Sequence, residues 1–197
     1  MSNRTTWREL TYLQKGSARQ REAFATTISL GILEKLAPFH PILVSTVCVG
    51  LDIEGSDLDF ICQFNEPKSF EDSVRSSFGS YPKFRFRYRN SEKSEAVTTF
   101  ECRPFIIEIF GSVVPVEQQN AYRHLTVMSR LLNFGGETLR SRVRQLKRSG
   151  LKTEPALAKI LELSGDPYRA VLDLERVSDS ELQALIQSTA MEETENI

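Results

Sequence analysis

The sequence has little of what disulfide scaffolds, structural zinc sites and membrane proteins require. Its 197 residues include three cysteines and two histidines, and no pair among Cys48, Cys62 and Cys102 has metal-ligand spacing. An odd number of scattered cysteines beside apolar runs is typical of reduced core thiols in the cytosol. No run approaches the roughly 18 apolar residues of a membrane span, and the first ten residues lack a signal-peptide core. We therefore expect a cytoplasmic protein that has no membrane segment.

The chain also lacks an excess of charge of either sign. Its 25 basic and 26 acidic residues give a formal net charge of −1. Such a balance produces no overall field toward nucleic acid or anionic lipid, so any polyanionic partner must be held by a local patch. The length allows one large domain, or one compact domain with an extension.

Helical spacing of apolar residues dominates the first forty residues. Within this region Ser17 is a candidate N-cap, and Gln20 stands three residues later as its capping-box partner. Pro38 and Pro41 then end the helical pattern.

Beyond Pro41 the period changes to that of short strands, and beyond Pro115 it is helical again. A helix is also predicted from Pro67, near its first turn, to Phe78, just before Gly79. The predicted strands are 42–44, 57–64, 83–89, 96–102 and 105–110. The predicted C-terminal helices are 116–134, 137–149, 153–164, 167–176 and 179–189.

Strands followed by helices indicate an α+β fold, in which a mixed sheet flanked by helices precedes a helical C-terminal half. We predict three segments. They are an α/β core at 1–114, a helical region at 115–190 and a frayed tail at 191–197.

Three acidic residues stand out against their surroundings. Asp57 and Asp59 are two apart on a predicted strand, so they point to one face, where they repel each other unless a cation lies between them. Glu108 lies in an entirely apolar strand, where an ionised carboxylate costs several kcal/mol unless it is paired or bound to metal. A buried salt bridge is the simpler explanation for Glu108, and Glu101 is the fallback for a third acid. We expect Asp57, Asp59 and Glu108 to converge on a divalent metal, Mg²⁺ or Mn²⁺.

Val44-Ser45-Thr46, followed after ten residues by Asp57-Leu58-Asp59-Phe60, resembles the signature of the DNA polymerase β-like nucleotidyltransferase superfamily. More narrowly, several stretches resemble an uncharacterised bacterial family placed in that superfamily. These stretches are 13–16, 41–44, 50–59, 108–111 and 119–124. The resemblance covers roughly residues 10–135.

The resemblance implies a nucleotidyltransferase-type fold and a site for a nucleoside triphosphate. By position, it implies phosphate contact at Thr46, and Ser45 and Ser56 are further candidates for nucleotide binding. It also implies that Asp57 and Asp59 are metal ligands, and that Glu108 is a third acid that completes the site or acts as a base.

Ser45 departs from the superfamily pattern, which has glycine at this position. If the backbone there requires a positive φ or a close approach to phosphate, serine costs about 1 kcal/mol or more.

Metal ligands alone do not hold a triphosphate, and cationic side chains are expected to help. Lys15 and Arg19, near the turn at Gly16, are the candidates for nucleotide binding. Gln119, Arg123 and His124 share neighbouring strips of a predicted helix and are the candidates for substrate binding. A helical histidine is more commonly a packing residue.

Two basic stretches complete the set of candidates. Lys83, Arg85, Arg87 and Arg89 alternate with aromatic residues along one strand. They form either a solvated sheet face or a surface for a phosphate-rich acceptor such as RNA. A second stretch on a helix, at 140–148, reads as a polar outer face.

The leading hypothesis is a metal-dependent nucleotidyltransferase that moves a nucleoside monophosphate from a triphosphate to a hydroxyl acceptor. The acceptor is a small molecule, an RNA end or a protein, and the sequence does not choose among them. A non-catalytic relative that binds nucleotide or a partner is the alternative. A metal-dependent phosphoesterase is a third possibility.

Overall fold

A computed structural model describes residues 7–191 of the chain, without the side chains of residues 190 and 191. The predicted tail at 191–197 therefore lies outside the described residues, apart from the backbone of Met191. The chain forms two compact units. The first comprises the chain up to Cys48 together with Glu54–Tyr122, and the second comprises Val49–Ile53 together with the chain from Arg123 onward.

The first unit begins with three helices, α1 (Thr11–Gln14), α2 (Ala18–Leu30) and α3 (Ile32–Lys35). The predicted capping box is confirmed, because Ser17 Oγ accepts from the Gln20 amide at 3.2 Å and Gln20 Oε1 accepts from the Ser17 amide at 2.9 Å. Such a cap satisfies two backbone donors that would otherwise lack partners at the start of the helix.

A five-stranded mixed sheet follows. Its strands are β1 (Ile42–Leu43), β2 (Leu58–Gln63), β3 (Arg85–Tyr88), β4 (Glu95–Cys102) and β5 (Phe105–Ser112), in the order β1-β2-β5-β4-β3. The strands β2 and β5 are parallel, and the other neighbours are antiparallel. All five predicted strands are present with shifted ends. The strand β3 starts at Arg85, because Lys83 has a φ of +57° that does not fit an extended strand.

One face of this sheet is fully buried. Its side chains are at most 1% exposed at Leu58, Phe60, Thr98, Phe100, Ile107 and Ile109. The helix α4 (Pro67–Phe78), whose bounds match the prediction, packs there through Phe70, Val74 and Phe78. Room for Phe70 comes from Gly111, where an added Cβ would lie 2.5 Å from the Phe70 ring.

The second unit is helical, as predicted for the C-terminal half. Its helices are α5 (Asn120–Arg148, which begins in the first unit), α6 (Thr153–Ile160), α7 (Pro167–Asp173) and α8 (Asp179–Met191). The predicted break at Gly135-Gly136 is a kink, since Gly136 has φ +54° and ψ −147° within α5. The predicted starts of the last two helices are confirmed by caps from Asp166 and Ser178. Within residues 7–191, no helix has both the length and the apolar character needed to cross a membrane.

Candidate active site

Two of the three predicted acids stand side by side in the sheet. Asp59 on β2 is the register partner of Glu108 on β5, and the two strands are parallel. Neighbouring strands are about 4.8 Å apart, and register partners project to the same side of a sheet. Their sequence neighbours Leu58, Phe60 and Ile107 fill the buried face. The two carboxylates therefore leave the sheet together on its opposite side, where both residues are half-buried.

That opposite side is hereafter the acid face. It carries a continuous row across four strands, because Glu108 is also the partner of Thr99 on β4, and Thr99 is the partner of Arg85 on β3. A second row joins Phe110, Val97 and Arg87. The exposed or half-buried residues of the acid face used below are Asp59, Thr99, Glu108, Phe110, Arg85 and Arg87.

Asp57 lies one residue before β2 and two residues before Asp59, and it is half-buried. Its main chain is held by Ser45, whose hydroxyl donates to the Asp57 carbonyl oxygen at 2.6 Å. The amide of Val44 donates to the Asp59 carbonyl at 2.8 Å. The backbone of Asp57 is thus held by Ser45, and that of Asp59 by the adjacent residue Val44.

Ser45 occupies the position of the superfamily glycine without a left-handed backbone. In the described part of the chain, the residues other than glycine with positive φ are His40, Lys83, Lys93 and Glu162. Ser45 is fully buried, and its hydroxyl is used by the bond to Asp57. The backbone strain that the sequence raised as a cost of serine is therefore absent, and the side chain has a structural task.

The turn after Ser45 is the predicted phosphate-contacting segment. Residues Thr46–Val49 form a 3₁₀ helix, in which the amide of Cys48 donates to the Ser45 carbonyl at 3.0 Å. The side chain of Gln20 on α2 donates to the Val47 carbonyl at 2.9 Å. Thr46 is half-buried at the start of this turn.

Arg19 on α2 lies beside the loop that leads into Asp57. Its guanidinium is 3.4 Å from the Ser56 carbonyl, forms an ion pair with Glu22 at 3.1 Å and stacks 3.8 Å from the centre of the Phe105 ring. Lys15, the other predicted nucleotide-binding cation, is exposed at the C-terminal end of α1.

Gln119 is a buried bridge within the first unit. Its side-chain amide donates to the Cys62 carbonyl at 3.0 Å and to the Val114 carbonyl at 2.9 Å, and its Oε1 has no hydrogen-bond partner. These bonds connect the end of β2 to the segment after β5. The contacts that it makes are therefore structural ones, and substrate binding by Gln119 stays a prediction.

Arg123 and His124 belong to the second unit. Arg123 makes a two-nitrogen contact with the Glu175 carboxylate, at 2.9 and 2.6 Å. His124 is 9% exposed, with Nε2 2.9 Å from the Tyr168 carbonyl and Nδ1 3.5 Å from Glu154. These contacts fit the packing role considered for a helical histidine, and the predicted substrate role of both residues stays untested.

Part of the second basic stretch has a structural role that the sequence did not reveal. Arg140 Nε donates to the Val49 carbonyl at 3.3 Å, and Lys147 Nζ donates to the Leu51 carbonyl at 2.6 Å. Two cations of α5 thereby hold the segment 49–53, which lies between Ser45 and Asp57 in the chain. No signal of this pairing is visible in the sequence, because the α5 side chains and the carbonyls that they bind lie 91 and 96 residues apart.

Glu101, the fallback for the third acid, has a cationic partner. It forms an ion pair with Lys83 and is the register partner of Ile106, two residues before Glu108. The first basic stretch, hereafter the basic stripe (Lys83, Arg85, Arg87 and Arg89), is thus divided, since Arg89 also lies 3.9 Å from Glu95. Arg85 and Arg87 are both exposed, and neither forms an ion pair with any residue in the range 7–191.

The three cysteines are free thiols, as expected. Cys62 lies on the buried face of the sheet, and burial raises the pKa of its thiol. Burial also raises the pKa of Cys102. A thiol that stays protonated at neutral pH is a poor nucleophile, so this chemistry does not point to a thiol-based site.

The donor chemistry of the acid face suits a hard divalent ion. In the described residues, no group of three or more His, Cys, Asp or Glu side chains is arranged to hold a metal. Mg²⁺ commonly takes only one or two protein carboxylates, because waters and substrate phosphates complete its shell. The Asp59–Glu108 pair with Asp57 nearby meets that smaller requirement.

The chain belongs to a family described as a domain of unknown function, DUF4269, whose model matches residues 25–174. No curated protein is significantly similar to the chain.

Solved structures of similar fold include several of Cid1. One, described for the RNA terminal uridylyl transferase activity of Cid1, matches with a TM-score of 0.52 at 13% identity and covers 82% of this chain and 52% of its own. Another, of the Cid1 poly(U) polymerase bound to MgGTP, also has a TM-score of 0.52 at 13% identity, covering 82% and 53%. The chain therefore spans about half the length of these structures. At such low identity the likeness shows the fold alone, which is a nucleotidyltransferase-type α+β fold.

Proposed function

We propose that this chain is a metal-dependent nucleotidyltransferase that moves a nucleoside monophosphate from a nucleoside triphosphate to a hydroxyl acceptor. The observation that carries the proposal is the register of Asp59 and Glu108 on adjacent parallel strands of a nucleotidyltransferase-type fold. Two carboxylates at neighbouring register positions repel each other unless a cation lies between them or one of them takes a proton, so the pair suits a divalent ion.

In this proposal the acids of the first unit have separate tasks. Asp57 and Asp59 hold the ion, and Glu108 completes the carboxylate set or accepts the acceptor's proton. The acceptor oxygen forms a bond to the α-phosphorus, the bond to the leaving pyrophosphate breaks, and the proton of the acceptor hydroxyl passes to the Glu108 carboxylate or to water. Bound Mg²⁺ or Mn²⁺ would stabilise the negative charge that develops on the phosphates.

The turn after β1 is proposed to hold the triphosphate. Thr46 and Ser56 are half-buried on the two sides of the loop, and Arg19 supplies a cation next to Ser56. Ser45 contributes indirectly, since its hydroxyl bond holds the Asp57 backbone. A non-catalytic role was suggested by serine in place of glycine. The ordinary φ of Ser45 removes one ground for it, backbone strain, and the other ground, a close approach of the serine to phosphate, is tested by Ser45→Gly.

Several finer points belong to the same proposal. The Cid1 structures include one with MgGTP bound, which supports the choice of ion and of a triphosphate donor, and one in complex with its short product ApU. Bacterial origin and cytoplasmic location follow from the family resemblance and from the cysteine content, and they stay predictions.

The decisive experiment incubates the purified chain with each labelled triphosphate, Mg²⁺ or Mn²⁺, and a cell extract that supplies acceptors. Wild-type protein is expected to transfer label, and the variant Asp57→Asn/Asp59→Asn is expected to lose at least about 100-fold of that activity. Identifying the labelled species names both the base and the acceptor.

Nucleotide binding gives a second readout that does not need an acceptor. At a triphosphate concentration of about 100 times Kd, the complex gains roughly 2.7 kcal/mol of stability, which is measured as a rise in Tm. The control Glu101→Gln removes one acid that is paired with Lys83 on a neighbouring row. A Tm rise that survives in Asp57→Asn/Asp59→Asn, together with no label transfer by the wild type, would contradict the proposal.

A further inference from the structure

The acid face ends in two cations that the proposed chemistry has not used. Of the four basic residues at 83–89, only Arg85 and Arg87 lie on β3, and Lys83 and Arg89 are partnered by Glu101 and Glu95. Arg85 and Arg87 are exposed and form no ion pair within the range 7–191. The net positive charge of the stripe therefore belongs to these two arginines.

Their place in the sheet relates them to the acids. Arg85 stands in the same row as Thr99, Glu108 and Asp59, three strand spacings from Asp59. At about 4.8 Å for each spacing, this row is about 14 Å long. The surface between the two ends is half-buried and carries the Thr99 hydroxyl and, in the next row, the Phe110 ring.

The geometry points to Arg85 and Arg87 as phosphate contacts for a single-stranded polynucleotide acceptor, whose terminal hydroxyl is delivered along this row to Glu108. The inference rests on the proposed function, and it names the acceptor class that the function left open. Alternate residues of a strand are about 6.7 Å apart on one face, so the two guanidiniums can engage successive phosphates of an extended strand. Guanidinium groups bind phosphate in a two-pronged geometry that suits this task.

A nucleic acid fits the surface better than an acidic peptide does. Phe110 is half-buried between the rows of Glu108 and Ser112, and Arg89 lies 5.9 Å from the centre of its ring. An aromatic ring beside cations is the arrangement on which bases stack in proteins that bind single strands. Carboxylates of a peptide would use the arginines but would gain nothing from the ring.

The test measures binding of a fluorescently labelled 15-mer oligoribonucleotide, and of the DNA of the same sequence, by anisotropy at several salt concentrations. The double variant Arg85→Ala/Arg87→Ala is expected to bind about tenfold more weakly than wild type. Its plot of log K against log salt should be shallower by about 1.4, which is 0.7 for each phosphate contact on a single strand. The same loss for both nucleic acids assigns the contacts to phosphate.

The matched control is Arg148→Ala/Lys159→Ala, which removes the same charge from exposed positions of the second unit. It should leave both the affinity and the salt slope near the wild-type values. An equal loss in the control would overturn the inference, because the effect would then reflect net charge alone. Equal competition by poly-glutamate at the same charge concentration would overturn it in favour of an acidic protein segment.

Failure of the inference and failure of the proposed function are distinguishable. Binding does not require catalysis. Oligonucleotide binding that depends on Arg85 and Arg87, in a protein that transfers no label, would contradict the proposed transferase activity and support the polynucleotide-binding surface. Label transfer to a small molecule that is unchanged in Arg85→Ala/Arg87→Ala would support the proposed transferase activity and contradict the polynucleotide-binding surface.

Discussion

The two faces of the sheet are made by alternate residues of the same strands, yet they carry opposite kinds of residue. On the buried face Leu58 and Phe60 are 0% exposed. Asp59, between them in the sequence, lies on the acid face, and its register partner Glu108 on β5 lies on the same face. Residues that stabilise the fold and residues proposed to carry the chemistry are thus separated by a single position along the chain. The comparison teaches that substitutions on one face should change folding, and those on the other should change activity.

The largest effect is expected from Glu108→Gln on the acid face. Label transfer should fall by about 100-fold or more, because the third acid is lost. Folding stability should change much less than the transfer rate, because glutamine keeps the size of the side chain and one acceptor oxygen. Both quantities are measured on one preparation, by transfer rate and by urea unfolding. A stronger loss of transfer in the control Glu101→Gln would reassign the third acid to Glu101.

On the buried face, Gly111→Ala should act in the opposite way. The new methyl group would lie 2.5 Å from the Phe70 ring, and such overpacking costs about 1–3 kcal/mol. Urea unfolding should show the loss, while the transfer rate per folded molecule stays near the wild-type value. Combining it with Phe70→Leu should recover part of the stability, and a double variant no more stable than Gly111→Ala would locate the strain elsewhere.

A substitution at Ser45 should change both folding stability and triphosphate binding. Ser45→Ala removes the donor to the Asp57 carbonyl and is expected to cost about 1–2 kcal/mol of folding stability. It should also lower the Tm gain from Mg²⁺ and triphosphate, because Asp57 is less firmly held. Ser45→Gly restores the superfamily residue and tests the same bond. A gain in triphosphate affinity from Ser45→Gly would show that the serine does obstruct the phosphate.

The smallest effect concerns Glu71, on the helix that covers the buried face. Hydrogen bonding from Arg75 holds the pKa of Glu71 below its ordinary value, with a further contribution from the Tyr88 hydroxyl. A lowered folded-state pKa contributes stability that is present above the ordinary pKa and is lost as the pH falls through the folded value. Unfolding measured at pH 7 and pH 3 should therefore differ less in Glu71→Gln than in wild type. Glu66→Gln is the control for the loss of one negative charge, and an identical pH response in all three proteins would remove the assignment.

Local features of the fold were predictable because nearby residues determine them. The Ser17 cap, the helix from Pro67 to Phe78 and the break at Gly136 all follow from backbone chemistry within a few positions. Strand ends were less accurate, because the positive φ of Lys83 is set by the turn into which it is folded.

The site was predictable in composition and less so in its connections. Asp57, Asp59 and Glu108 were chosen from their surroundings, but the register that sets Asp59 against Glu108 depends on how β2 and β5 pair across 41 intervening residues of chain from 64 to 104. Likewise, the basic stripe was visible, whereas the neutralisation of Lys83 and Arg89 by β4 was not. Tertiary pairing of this kind leaves no periodic trace in a sequence.

Residues 49–53 belong to the second unit although the chain on both sides of them belongs to the first, and this limits how the protein can be divided. The chain passes between the two units after Cys48, after Ile53 and after Tyr122. Two of these passages fall between Ser45 and Asp57, so no single cut yields two pieces that each hold a complete unit. A gene shortened at Tyr122 would encode every proposed acid, yet its product would leave the Val49 and Leu51 carbonyls without the α5 side chains that hold them. The loop between Ser45 and Asp57 therefore depends on residues from both halves of the chain.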